Sequence, residues 1–243
     1  MHLAGKVAVI TGGGSGIGLA IAEMLSGEGC RTVLAGRTAD RLRTAATHWK
    51  QGPPPEVHPV DVADRDQVDQ LFTWVQTQLG PVDILVNSAG VNITARSMAE
   101  MTPAQWDQVL AVNVTGAYNC MHAVLPQMRE RHWGMIINIS SVSGKRVTVL
   151  GGVAYCASKF AMTALGTAVG NEEAERGIRV TNIYPGEVDT PILLQRPEPV
   201  SEERRASMLQ PEDVARMVQA IVRLPERAHV PELVIKPAVQ PYA

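Results

Sequence analysis

Residues 7–25 read VAVITGGGSGIGLAIAEML. An apolar, β-branched run ending at Thr11 gives way to glycines and a serine, and then to apolar side chains at helical spacing. This is a strand, a glycine-rich turn and a helix. The turn is not G-x-G-x-x-G, because the register from Gly12 and Gly14 would demand Gly or Ala at Ile17. Nor is it a P-loop, since Leu19 follows Gly18 where a lysine is needed. It is T-G-x-x-x-G-x-G, with Thr11, Gly12, Gly16 and Gly18. Gly12 permits a sharp exit from the strand and Gly16 lets the backbone approach a pyrophosphate. Gly18 lets the helix pack closely, and the helix N-terminus (Ser15, Gly16, Ile17) offers free N–H groups to an anion.

The alternation continues to the end of the chain. KVAVIT, RTVLAG, PEVHPVD, DILVN, MIINIS, IRVTNIY and ELVIKP read as strands, most of them apolar throughout, as parallel strands covered on both faces are. Helical patterns lie between them at about 17–28, 39–50, 65–79, 103–131, 152–176 and 211–224. Thr102, Pro103 and Gln105 mark the start of the fourth with an N-cap, a first-turn proline and a capping box. The expected architecture is α/β, a doubly wound parallel sheet of seven strands with helices on both faces, formed by residues 1–243 as a single domain. The irregular stretch 185–210 is long and proline-rich, and a substrate lid is expected at about 186–210.

Composition narrows the function classes. The chain has 243 residues, 45% hydrophobic but only 4% aromatic, so small aliphatic side chains must build the core. Lys plus Arg number 22 against 24 Asp plus Glu, a net charge of -2, and no basic run exceeds two residues. Nucleic acid is therefore not expected as a partner. No apolar stretch approaches the roughly 18 residues that span a bilayer, so no membrane partner is expected, and the first apolar run does not read as a signal peptide. Cys30, Cys120 and Cys156 stand far apart and read as reduced thiols of a cytoplasmic protein. The histidines form no metal-like cluster, and no metal site is expected. His48, His58 and His132 read as solvated residues near element ends.

The second strand bears on which dinucleotide is bound. An acidic residue at its end would hold the adenosine ribose hydroxyls. Gly36 and Arg37 stand there instead, leaving room for a 2′-phosphate and a guanidinium to pair with it, which points to NADP(H). Asp61 and Val62 end the third strand where the adenine would lie. Asn87, Ala89 and Gly90 close the fourth beside the cofactor.

Within GGVAYCASKFAMTALG, 151–166, Tyr155 and Lys159 share one helix face among small side chains. A phenol is a poor base at neutral pH. An ammonium at about 5 Å in an effective dielectric near 20 would favour phenolate by about 3 kcal/mol, or about two pKa units, bringing a tyrosine into the range of general acid–base work. Cys156, one residue on and turned by about 100°, is expected against the sheet.

Taken together, Thr11-Gly12-x-x-x-Gly16-x-Gly18, Asp61, Asn87-x-Ala89-Gly90, Asn113, the serines of ISSVSG, Tyr155-x-x-x-Lys159 and Pro185-Gly186-x-Val188-x-Thr190 resemble the short-chain dehydrogenase/reductase superfamily over essentially the whole chain. The resemblance implies a Rossmann fold and hydride transfer between nicotinamide C4 and a carbonyl or alcohol carbon of a small molecule. Tyr155 would exchange the hydroxyl proton, and Lys159 would lower its pKa and hold the nicotinamide ribose. Asn113 would anchor a water linking Lys159 to solvent, Ser141 would bind the substrate oxygen with Ser143 as a second contributor, and Ser140 would face into the sheet. Thr190 would hold the carboxamide beside Val188, with Pro185 and Gly186 at the same end of the cofactor. Ser88 replaces the commoner asparagine, a change expected to touch sheet support and not chemistry. A homotetramer or homodimer is implied as well. AGRTADRL and the C-terminal stretch are similar to the branch containing NADP-dependent 3-hydroxy acid dehydrogenases. A 3-oxoacyl-thioester or aldehyde/ketone reductase is the alternative, and a non-catalytic NADP-sensing protein the remote one. A small 3-hydroxy acid would turn its carboxylate towards Arg146 or Arg196.

Overall fold

The computed structural model describes residues 2–241. Seven parallel strands form one sheet in the order β3-β2-β1-β4-β5-β6-β7. β1 (Val7–Thr11), β4 (Ile84–Asn87) and β5 (Gly134–Ile139) are buried at every position, so their sequences are apolar without alternation. β2 (Arg31–Gly36) and β6 (Ile178–Pro185) are buried along most of their length. The edge strands β3 (Glu56–Pro59) and β7 (Glu232–Ile235) are partly exposed.

Helices α1 (Gly16–Gly27), α2 (Ala39–Thr47) and α7 (Pro211–Val222) cover one face, where Ile21, Leu25, Leu42, Val214 and Val218 join Ile10 and Leu34. On the other face α3 (Arg65–Gln78) and α6 (Val153–Glu173) bring Val68, Leu71 and Met162 onto Val9, Leu85 and Ile136. The order reverses between β1 and β4, and such a switch point opens a crevice beyond the C-terminal ends of the strands.

The helix expected over 103–131 is divided. α4 (Pro103–Leu110) starts with the expected capping box at Thr102 and Gln105, a π-turn runs over Ala111–Thr115, and α5 (Gly116–Arg131) follows. At the π-turn the Gly116 N–H reaches back five residues to the Ala111 carbonyl. The widened turn holds Asn113, which is completely buried. Its amide donates to Val91 O at 2.9 Å and to Ser158 Oγ at 3.0 Å, and it accepts from Val91 N at 2.8 Å. A buried amide must be satisfied, and these partners hold it in register with the loop after β4 instead of with a regular helix.

A row of asparagines crosses the sheet beneath α6. Asn87, Asn138 and Asn182 are register partners on β4, β5 and β6. Asn87 Nδ2 donates to Asn138 Oδ1, and Asn138 Nδ2 to Asn182 Oδ1, each at 3.0 Å. Asn182 Nδ2 ends the row on Thr163 O and Thr167 Oγ1 of α6. Gly166 lies directly over it, and a Cβ there would collide with the amides of Asn138 and Asn182. The small residues of α6 are thus matched to a polar seam that demands close approach.

Two placements differ from the sequence reading. His58 is partly buried: its ring packs on Trp74 at 5.2 Å, its Nδ1 is buried with no hydrogen-bond partner among the described residues, and burial lowers its pKa. Cys156 is buried but turned towards the loop before α6, with Sγ 3.5 Å from Thr148 O, because that loop and not the sheet covers this side of the helix. Among the described residues no helix is long and apolar enough to cross a membrane, and no cluster of metal-binding side chains is found.

Gly166→Ala is expected to destabilise the protein by about 1–3 kcal/mol through overpacking, read as a lower midpoint in denaturant with an unchanged slope. An unaltered midpoint would mean that α6 does not depend on its close seat over the asparagine row.

Candidate active site

Every strand end contributes to one cleft of about 890 Å³. At one end lies the glycine turn. Gly12 has φ +66°, and a Cβ there would sit 2.9 Å from Ala89 N and the Ser88 carbonyl, so only glycine fits. Thr11 Oγ1 accepts from Ser88 N and Ala89 N at 3.1 Å, tying the turn to the loop after β4. Gly16, at φ +54°, lies beneath Thr190, whose Cγ2 would be 3.1 Å from a Cβ. Ser15, Ile17, Gly36, Arg37 and Val62 line the same end, Ala89 and Gly90 the middle, and Pro185, Gly186, Val188 and Thr190 the far wall.

Three expected cofactor contacts do not line the cleft. Gly18 is buried against Gly12 O and Ser88 Oγ, where it allows α1 to pack on the turn. Asn87 is committed to the asparagine row. The Asp61 side chain turns back to accept from Ala63 N at 3.0 Å, shaping the turn that brings Val62 to the cleft. Each serves the cradle from behind. Ser88, expected only to support the sheet, lines the cleft.

Tyr155 and Lys159 face the cleft from α6, with the ammonium 5.6 Å from the phenol ring centre. Lys159 Nζ donates to Ile139 O at 2.8 Å, and burial pushes its pKa down to about 8. Tyr155 lies above the ordinary phenol value, chiefly through burial and against the pull of Ser141 and Arg96. The expectation that Lys159 lowers the phenol is therefore not met in the protein alone: the ammonium is drawn to a strand-end carbonyl, and desolvation of the phenol dominates.

Ser141 lines the cleft beside the phenol and pulls its pKa down, and its Oγ accepts from Ser143 N at 3.1 Å. Ser143 also lines the cleft, but its hydroxyl pairs with Thr148 Oγ1 at 3.2 Å. Ser140 does not face into the sheet as expected. Its hydroxyl reaches Lys159 O at 3.2 Å and Thr163 Oγ1 at 3.4 Å, because α6 lies directly over the end of β5. Asn113 gives both amide hydrogens to Val91 O and Ser158 Oγ and accepts from Val91 N through Oδ1, so its side chain has no donor left for the expected water.

The cleft also contains residues the sequence reading passed over. Arg41 stands four positions after Arg37 at the start of α2, a spacing that could have signalled a second cation at the glycine-turn end. Asn92 and Gln195 meet across the other end, with Asn92 N donating to Gln195 Oε1 at 2.8 Å. Pro237, Val239 and Gln240 close it from beyond β7, and Gln240 Oε1 accepts from Glu187 N at 3.0 Å. These contacts join residues about fifty to a hundred positions apart, and no local pattern announces them. Of the two cations expected to meet a substrate carboxylate, Arg146 is exposed and does not line the cleft. Arg196 lines it but is paired with Glu187 at 3.1 Å.

Comparison with known proteins follows the same pattern. The family model described as short chain dehydrogenase matches residues 6–200. An uncharacterized oxidoreductase of Staphylococcus aureus strain MRSA252 is 37% identical over 235 residues, covering 97% of this chain and 98% of its own. Among solved structures, an alcohol dehydrogenase from Thermococcus sibiricus complexed with 5-hydroxy-NADP superposes with a TM-score of 0.87 at 28% identity, covering 97% of this chain and 98% of the other. The closed form of a serine dehydrogenase complexed with NADP+ gives 0.89 at 26% identity, with 98% and 97% covered. These matches over nearly the whole chain place it: the chain belongs to the short-chain dehydrogenase family.

Proposed function

We propose that the protein is an NADP(H)-dependent oxidoreductase that interconverts a carbonyl and an alcohol on a small molecule, with a short 3-hydroxy acid as the favoured substrate. The observation that carries the reading is the convergence of Ser141, Tyr155 and Lys159 at the middle of a cleft that begins at the glycine turn. When bound, the nicotinamide supplies or accepts the hydride. The free N–H groups at the start of α1 would hold the pyrophosphate, and Thr190, set over Gly16, would hold the carboxamide. Ser141 orients the substrate oxygen, and Tyr155 donates or accepts its proton. Lys159, anchored on Ile139 O, would hold the nicotinamide ribose beside the phenol. The segment 186–210 acts as the lid over the substrate. A 3-oxoacyl-thioester or other carbonyl substrate is the second reading, favoured by Leu150, Ile192, Leu193 and Leu194 on the cleft wall.

NADP(H) rather than NAD(H) is supported by Arg37 and Arg41, which line the cleft beside Gly36 and form no ion pair among the described residues. The serine dehydrogenase complexed with NADP+ and the Thermococcus enzyme complexed with 5-hydroxy-NADP support this choice. Assembly as a homodimer or homotetramer is supported by the exposed rings of Tyr118 on α5 and Phe160 on α6, and light scattering of the purified chain tests it.

Tyr155→Phe should lower turnover by several orders of magnitude while NADPH still binds, checked by steady-state rates beside a fluorescence titration. Retention of more than about a tenth of the rate would remove Tyr155 from the proton transfer.

Because burial holds the phenol protonated, it serves as a proton donor at neutral pH. Carbonyl reduction is expected to be sustained there, whereas alcohol oxidation, which needs the phenolate, should climb from about pH 7 and still be rising at about pH 10, the ordinary phenol value. Initial rates in both directions across that range check the sign; an oxidation rate independent of pH would contradict it.

Replacing Arg37 or Arg41 by Ala should cost about 1.5–3 kcal/mol in NADPH affinity, roughly 10- to 150-fold, with little change for NADH. Gly36→Asp should reverse the preference, since a Cβ at Gly36 meets only Leu42 Cδ2 at 3.6 Å. The ratio of kcat/KM for the two cofactors is the measurement, and equal efficiency in the unaltered enzyme would overturn the assignment.

A further inference from the structure

The substrate end of the cleft holds three guanidinium groups whose charges are met differently. Arg196 donates to Glu187 Oε1 at 3.1 Å, and Arg204 reaches the same carboxylate at 2.8 Å, so one anion serves two cations. Arg96 has no acidic partner among the described residues. Its Nε donates to Ile93 O at 3.1 Å, its Nη2 to Gln195 O at 3.0 Å and its Nη1 to Leu150 O. Those bonds use three of five N–H groups and fix the fork against three walls of the cleft. Carbonyl dipoles orient the cation but do not cancel its charge.

The surroundings make that charge costly. Arg96 is half-buried, and burial together with the nearby Arg196 holds its pKa below the usual arginine value, while Tyr155 acts in the opposite direction. Its backbone is held as well: Val153 N donates to Arg96 O at 3.1 Å, and Gly152, at φ +79°, leaves its Cβ space to the Arg96 side chain. A half-buried cation so firmly placed, with dipoles alone for company, is an arrangement that an incoming anion would relieve.

We propose that Arg96 is the receptor for an anionic group of the substrate, a carboxylate lying close to the carbon that exchanges hydride. This rests on the reading of Tyr155 as the proton-exchanging residue, since the phenol and Arg96 line the same cavity and interact electrostatically. A carboxylate there takes the two N–H groups that Arg96 has left and comes under the field of Arg196, whose own pairing with Glu187 remains intact. The receptor is thus a different arginine from the two that lie nearest in sequence to the strand-5 loop and the lid.

The test compares 3-hydroxybutyrate with its methyl ester, using NADP, in the unaltered enzyme and in Arg96→Gln and Arg96→Lys. The acid should be preferred by the unaltered enzyme. Arg96→Gln should lower kcat/KM for the acid on the order of 10- to 150-fold, mostly through KM, with the ester changed by less than about threefold; Arg96→Lys should recover part of the loss. Asn92→Ala removes a neighbouring tie, Asn92 Nδ2 to Gly151 O, without touching the cation, and should affect acid and ester alike. A readout without turnover uses malonate, which should raise the melting temperature of the NADPH complex in the unaltered protein and not in Arg96→Gln. Equal losses for acid and ester in Arg96→Gln would make Arg96 a strap between loops and overturn the proposal, as would a malonate shift that survives the substitution or is absent from the unaltered protein. A malonate shift dependent on Arg96, with no turnover of either compound, would instead support the receptor and count against the reaction assigned to the site.

Discussion

The seat of α6 on the sheet is the constraint on which the rest of the site depends. Three asparagines bonded side by side across β4, β5 and β6 form a polar seam, whose buried amides need partners; at its β4 end Asn87 Oδ1 has none among the described residues. α6 satisfies the last of them through Thr163 and Thr167. Gly166, without a Cβ, allows the helix down to that distance. With α6 at this height, Lys159 reaches the terminal carbonyl of β5 and Ser158 reaches Asn113 in the π-turn. The ammonium, the phenol and the loop after β4 are therefore positioned by one packing decision made more than a helical turn away.

At the other end of the cleft, close approach is again the governing condition. Gly12 and Gly16 adopt left-handed backbone conformations where neighbouring chain leaves no room for a side chain. Thr11 spends its hydroxyl on two amides of the next loop. The result is a turn held rigidly by β1 and β4 together, so that free amides at the start of α1 are presented to an anion without reorganisation. Gly18, Asn87 and Asp61 matter to this cradle as the packing and turn contacts that hold its lining in place.

Electrostatics divides the cleft into two cationic ends around a protonated phenol. Arg37 and Arg41 lie at the glycine-turn end, and Arg96 and Arg196 at the opposite end. Lys159, pushed down to about 8 by burial, shows how strongly the middle of the cleft disfavours unpaired charge. A site with these properties favours anions at both ends and a proton held in the centre, which suits exchange of a proton and a hydride at one carbon.

The doubly wound sheet, the glycine turn and the Tyr155–Lys159 pair could be read from the sequence because each is a local pattern. Apolar runs record burial on both faces of a strand, glycine spacing records backbone that must curl or be approached, and a four-residue interval records a shared helix face. The replacement of an acidic ribose clamp by Gly36 and Arg37 is local in the same way. What only tertiary structure decided is where hydrogen bonds and charges between distant segments come to rest. Asn87 turned into the sheet, Lys159 turned to Ile139 instead of the phenol, Arg196 was taken by Glu187, and Arg96 was drawn to carbonyls from two other loops. A side chain's partner in a folded core is set by which groups are left unsatisfied around it, and that is a property of the assembled walls and of no single stretch of chain.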